Sequence, residues 1–145
     1  MRALKLLLLI NTLLFSIPIQ AEVLLHKVSG EDITLSSLKG KWVFINYWAG
    51  WCQPCLDEIS ELNRFSEQNK NVAVFAVNYD GLPSSKLKRL IKKFNILYPS
   101  ISSEELNLGE VSVVPITFVL NPAGELSTTL YGGQTLESLN EVIAP

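Results

Sequence analysis

Behind an N-terminal apolar run, the chain alternates between short, almost continuous hydrophobic stretches and longer segments whose apolar residues return every three or four positions. "VLLHKVSGEDITL" reads as two short strands around a turn at Ser29-Gly30. "WVFINYW", residues 42 to 48, is β-branched and aromatic with no polar face, the pattern of a strand buried on both sides. From Pro54 to Asn69, Leu56, Ile59, Leu62 and Phe65 recur at helical spacing, with Pro54 suited to a first turn where its missing N–H costs nothing. "NVAVFAVNY" (71 to 79) predicts another buried strand. Leu87, Leu90, Ile91 and Phe94 then mark an amphipathic helix with Ser84 or Ser85 as its cap. Residues 96 to 114 are irregular, with one helical turn expected near Glu104 to Leu108. "ITFVL" (116 to 120) is a strand, "NPAG" a turn with proline at its second position, and "ELSTTLYG" the hairpin partner. "TLESLNEVI" closes the chain as a short helix capped by Thr135, with Glu137 and Glu141 outside. The order β-β-β-α-β-α-insert-β-β-α implies a mixed sheet with helices on both faces.

Length and composition leave this picture intact: 145 residues, 48% hydrophobic and 18% charged, describe a chain with one core. A net charge of −2 argues against a nucleic-acid partner. Lys86, Lys88, Arg89, Lys92 and Lys93 cluster, and read as the solvated face of their helix. The N-terminus changes the picture more. Arg2 and Lys5 precede an apolar run from Leu6 to Ile17, followed by Pro18 and by Ala21 as a small residue at a cleavage point. That order is a secretory signal, and the run is shorter than the roughly 20 residues of a spanning helix. Residues 1–21 are therefore expected to be a signal peptide, or an uncleaved anchor because Ile19 is large for the cleavage site, and residues 22–145 the folded domain. No cysteine follows the run to carry a lipid. Export places the domain where disulfides persist.

The two cysteines of the chain lie in "WAGWCQPC". Cys52 falls where a buried strand ends and a helix begins, and Cys55 one turn in, on the same face. Unpaired N–H groups and the macrodipole at a helix N-terminus favour a thiolate at Cys52, making it the attacking sulfur and Cys55 the resolving one. Structural zinc needs four ligands, and the chain offers two cysteines and one histidine. A structural disulfide would close too short a loop to constrain the unfolded chain. Cu(I) held by both thiolates and His26 stays open as the non-redox alternative. A C-x-x-C ahead of a helix in a βαβ pattern favours redox chemistry.

"NYWAGWCQPC" with "VVPITFVLNPAGEL" downstream resembles the thioredoxin superfamily, and more narrowly the TlpA/ResA-like extracytoplasmic thiol-disulfide oxidoreductases, over nearly all of residues 23 to 145. The family motif runs roughly W-C-x-P-C-R-x-E-x-P. Glu58 matches its acidic residue, while Leu56 and Ser60 depart from its arginine and proline. The resemblance implies a thioredoxin fold: a central mixed β-sheet flanked by helices, with an N-terminal β-hairpin and an insertion before the cis-proline strand. It implies that Pro115 follows a cis bond beside the cysteines, with the Val114 backbone free to pair with substrate. It puts Asn46 where cytoplasmic thioredoxins keep a buried aspartate. Glu58 then becomes the substitute proton acceptor, partly buried and raised in pKa, against the plainer reading of a solvent-facing helix glutamate. Trp48 is expected in the core, and Trp51 on an exposed rim that holds substrate beside Cys52.

The resemblance implies no cofactor beyond the redox-active Cys52–Cys55 disulfide. Direction of electron flow is a separate matter. Gln53 and Pro54 separate the cysteines, with no histidine to make a strong oxidant, so a reductase is expected. Its partners would be disulfide-containing exported proteins, apocytochrome c foremost, and a membrane electron-donor protein. A general oxidase or isomerase of secreted proteins, and the copper chaperone, are the alternatives. Peroxidase chemistry is disfavoured, because the threonine and arginine that surround a peroxidatic thiol are missing near Cys52.

Overall fold

A computed structural model describes residues 22–102 and 106–145. The expected signal segment, 1–21, lies outside the described residues, as do 103–105 at the start of the expected turn near Glu104. Strands β1 (Leu24–His26) and β2 (Asp32–Thr34) form the hairpin, followed by a 3-10 turn, Leu35–Leu38. Then come β3 (Trp42–Trp48), α1 (Gln53–Gln68), β4 (Val72–Asn78), α2 (Ser84–Lys93), β5 (Ser100–Ile101), β6 (Ile116–Leu120), β7 (Leu126–Tyr131) and α3 (Leu136–Ile143). No helix among the described residues is long and apolar enough to cross a membrane.

The main sheet runs β5-β4-β3-β6-β7. β3, β4 and β5 run parallel to one another, β6 is antiparallel to β3, and β7 is antiparallel to β6. β3 and β4 therefore sit inside the sheet, which is why their sequences carry no polar face. The hairpin seals the outer edge of β5: the Val28 N–H donates to the Ser100 carbonyl at 2.8 Å and the Ser102 N–H to the His26 carbonyl at 2.9 Å. That covers an edge that would otherwise offer unpaired backbone.

The sheet separates two cores. Phe44 and Trp48 of β3 point one way, to α1 (Ile59, Leu62, Phe65), α2 (Leu87) and α3 (Leu139); Val43, Ile45 and Tyr47 point the other. All three α-helices thus lie on one face, contrary to the expectation of helices on both. The connections β3-α1-β4 and β4-α2-β5 step in the same direction along the sheet, and two right-handed crossovers in one direction place both helices on one side. The opposite face is covered by non-helical chain: Ile33, Leu35 and Leu38 from the hairpin and 3-10 turn, and Leu106, Leu108 and Val111 from the insert. From residue 106 to 114 no helical turn forms; bends carry these side chains to the sheet instead.

Two smaller expectations also change. α2 starts at Ser84, but Pro83 occupies the cap position with extended backbone and no side-chain cap, so neither Ser84 nor Ser85 caps it. β5 is an added strand, too short at two residues to carry a period. At α3 the Thr135 cap is present and reinforced, since Ser138 and Thr135 bond each other's backbone N–H in a capping box.

Candidate active site

β3 delivers the chain to the cysteines. Its last residues, Tyr47 and Trp48, are held by β6 and β4, and Cys52 follows after one turn as the N-cap of α1. The Cys52 Sγ accepts the Cys55 N–H at 3.3 Å, so sulfur does the capping usually done by oxygen. The first turn of α1 contains no acidic residue, and nothing there opposes the helix dipole acting on a Cys52 thiolate. The two sulfurs form a disulfide, with Cα atoms 5.3 Å apart. Cys55 is fully buried, and Cys52 is the less enclosed of the pair.

Beneath them lies a charged side chain in the core. Glu58 is 2% exposed, more deeply buried than the sequence implied. Its two oxygens are held from opposite sides: the Asn46 Nδ2 donates to Oε1 at 2.7 Å, and the Gln134 backbone N–H to Oε2 at 2.9 Å. Asn46 in turn donates to the Thr117 Oγ1 at 3.0 Å, its register partner on β6. Burial dominates and raises the Glu58 carboxyl to about 7, while the two hydrogen bonds pull the other way. The position that lacks the aspartate of cytoplasmic thioredoxins therefore holds the carboxylate's donor. The buried Tyr98 hydroxyl is pushed above its usual value by loss of solvent first and by the Glu58 charge second.

The Val114–Pro115 bond is cis. Ile116 pairs with Tyr47, so Pro115 stands at the same end of the sheet as the cysteines. Its carbonyl accepts the Gly132 N–H at 3.0 Å, and the Val114 backbone has no backbone partner among the described residues. The Gly132–Gly133–Gln134 loop packs beside the site: a Cβ on Gly133 would stand 3.5 Å from the Pro54 carbonyl, at ordinary contact distance. Trp48 is buried and packs edge-to-face on Phe94, whereas Trp51 is 66% exposed. The Trp51 indole N–H donates to the Asp80 Oδ1 at 3.0 Å, and its ring meets Tyr79 edge-on.

Cys52, Cys55, Glu58, Trp51, Val114 and Pro115 thus share one end of the fold. His26 does not join them. Its Nδ1 faces the Asp32 Oδ1 at 3.0 Å in the hairpin, and no three His, Cys, Asp or Glu side chains cluster to hold a metal among the described residues. Sequence reasoning missed Thr117 and Gln134. Gln134 acts through its backbone N–H, which every residue but proline carries, so its identity gives no signal.

This geometry agrees with what the chain is similar to. Residues 18–129 match the AhpC/TSA family. The chain belongs to that family. Within it, the chain is 30% identical over 122 residues to the thiol-disulfide oxidoreductase ResA of Bacillus subtilis, covering 81% of this chain and 68% of that one. It is also 30% identical over 129 residues to ResA of Halalkalibacterium halodurans, covering 83% and 73%. The crystal structure of StoA from Bacillus subtilis superposes with a TM-score of 0.70 at 26% identity, covering 86% of this chain and 97% of that one. This AhpC/TSA-family protein is a thiol-disulfide oxidoreductase of the ResA and StoA type, with a thioredoxin fold and a Cys52–Cys55 disulfide.

Proposed function

We propose that this family member is an extracytoplasmic reductase that opens disulfides in exported proteins. The observation that carries the reading is the unequal setting of the two sulfurs: Cys52 caps a helix N-terminus, and Cys55 is buried one turn before a carboxyl raised to about 7. The Cys52 thiolate attacks a substrate disulfide, forming a mixed disulfide and releasing one substrate sulfur, which takes a proton from solvent. Cys55 then loses its proton to the Glu58 carboxylate and attacks the Cys52 sulfur. The second substrate sulfur leaves as a thiolate that takes a proton from solvent, and the Cys52–Cys55 disulfide closes. The substrate gains two electrons that the dithiol loses, and a membrane electron-donor protein restores the dithiol.

Trp51 and Val114 beside Pro115 are the substrate-holding elements, the first by an exposed ring and the second by a main chain without a backbone partner among the described residues. The order of charge, apolar run and small residue in residues 1–21 supports export, with the segment either cleaved or kept as an anchor. Gln53 and Pro54 between the cysteines support the reducing direction, and apocytochrome c is the leading substrate.

A Cys55→Ala variant, expressed in its own compartment, should accumulate mixed disulfides through Cys52, and the captured proteins name the substrates. Capture by Cys52→Ala instead would reverse the roles of the sulfurs. Thiol trapping of the wild-type pool should find it largely reduced. A pool that is oxidised while the electron supply is intact would sink the reductase reading, as would a potential near the roughly −120 mV of a strong oxidant instead of about −270 mV.

A further inference from the structure

Beside the cysteines, one side chain that the redox steps do not use is hydrogen-bonded at both ends of its amide within a very short loop. β7 ends at Tyr131, the register partner of Ile116, and Gly132, Gly133 and Gln134 lead from there towards α3. Both hydrogen bonds that this loop sends into the site come from its backbone. The Gly132 N–H donates to the Pro115 carbonyl at 3.0 Å, and the Gln134 N–H to the Glu58 Oε2 at 2.9 Å. Yet two successive glycines give a chain its greatest freedom, and Gly132 lies in the left-handed region at a φ of 78°. Without a further restraint, ordering such a loop costs more conformational entropy than ordering any other.

The Gln134 side chain supplies the restraint. It folds back over the loop, and its Nε2 donates to the Gly132 carbonyl at 2.9 Å and to the Tyr131 carbonyl at 3.3 Å. The Ser138 hydroxyl, shared with the Thr135 carbonyl, donates to its Oε1 at 3.0 Å. The two carbonyls can only accept, so they take the NH2 end of the amide and fix its orientation. The side chain is thus tied to the end of β7 on one side and to the first turn of α3 on the other.

We propose that the Gln134 side chain is a positioning residue for the thiol exchange, holding its own backbone N–H on the Glu58 carboxylate and the Gly132 N–H on the Pro115 carbonyl. The consequence for rate rests on Glu58 accepting the Cys55 proton; the geometry does not. A carboxylate gripped by a backbone N–H ionises more readily, and the Gln134 N–H outweighs the Asn46 amide in lowering the Glu58 value. The other groups around the acid do not depend on this brace. They are Cys55 on its own helix, the buried Tyr98 hydroxyl, and neutral Asn46 and Thr117 from β3 and β6. Glu61, one turn further on, accepts the Leu136 N–H at 2.8 Å and pairs with Arg64 at 3.2 Å.

Gln134→Met keeps the side-chain length and the backbone N–H but removes the bonds of the amide; Gln134→Ala shortens the side chain as well. The position is half-buried and outside both cores, so neither change disturbs their packing. In the oxidised protein the cysteines do not titrate, and carbon-detected NMR of the Glu58 carboxyl between pH 5 and pH 9 reads its ionisation without substrate. The acid should dissociate about 3- to 10-fold less readily in both variants, the upper figure being the loss of a whole hydrogen bond to a charged group. The Gly132 and Gln134 amide hydrogens should exchange faster by a similar factor. In single-turnover reactions with a disulfide-linked peptide at pH 7, the mixed disulfide should live longer in both variants, and the gap should close at pH 9. A general loss of stability would not move the Glu58 titration. An unchanged titration in both variants overturns the brace, as does unchanged exchange at Gly132 and Gln134. A raised titration with an unchanged resolving step supports the brace and counts against Glu58 as the acceptor, so the two failures are distinguishable.

Discussion

α1 and α2 cover the same face of the sheet, yet they handle charge in opposite ways. α2 keeps every charged side chain in solvent and buries only Leu87 fully. α1 buries Cys55 and Glu58 together with Ile59, Leu62 and Phe65. Their N-termini differ in the same sense: the Cys52 sulfur caps α1, and no side chain caps α2. A helix of α2's kind is stabilised by its apolar stripe. In α1 the stripe is interrupted by an acid that only a tertiary network makes tolerable, and the interruption lies under the reactive pair. The local cost falls where the chemistry is, as functional sites often show.

That contrast can be broken most strongly at Glu58. Its carboxyl is raised from 4.5 to about 7 in the folded protein, so the native state holds a proton that the unfolded chain has released. Stability therefore falls as pH rises from 4.5 through about 7, by roughly 3 kcal/mol in all, at about 1.36 kcal/mol for each unit of pKa difference. Glu58→Gln resembles the protonated acid and should remove this slope. Urea denaturation at pH 5 and pH 8 should give equal stabilities for the variant and a lower value at pH 8 for the wild type. The same variant should slow the resolving step, seen as longer-lived mixed disulfide in single-turnover kinetics. An unchanged slope would mean that Glu58 is not the titrating group.

Asn46→Leu sharpens the comparison by removing the side-chain donor and keeping the acid. The Glu58 carboxyl should then titrate above its present value of about 7, and the protein should lose about 1–3 kcal/mol at pH 8, where the buried charge has lost one of its donors. At pH 5, with the acid protonated, the loss should be smaller. The pH profile separates this from a packing defect, which would cost the same at both values.

The smallest effect is expected at α2. Pro83→Asp supplies the missing N-cap and should stabilise the fold by about 0.5–1 kcal/mol, read as a raised Tm, with no change in the Cys52–Cys55 potential. A shift in potential would link the two helix ends electrically and undo the separation drawn between them.

Much of this was legible in the chain. β3, β4 and β6 announce themselves as short apolar runs, and α1, α2 and α3 by recurring Leu, Ile and Phe, because burial imposes a period on any element long enough to show one. The cysteine pair was readable for the same reason, since a strand and a helix bracket it. β5, two residues long, has no period to display. Helices on both faces failed as an expectation because face is a property of strand order, and strand order depends on pairings that local pattern does not record. The depth of Glu58 was underestimated because its spacing places it on the face of Cys55 without telling how closely the Gln134 loop shuts over it.

The sequence by itself determined the longer elements, the placement of Cys52 at a helix start and of Cys55 inside it, and the pairing of an acid with those thiols on one helical face. These follow from backbone geometry within about one turn, which local residues dictate. Tertiary structure alone decided that three helices share one side, that Asn46 and Gln134 grip the same carboxyl, and that Pro115 meets the end of β3. Each depends on residues far apart in the chain being packed together, and that packing turns an ordinary glutamate into one that titrates near neutrality.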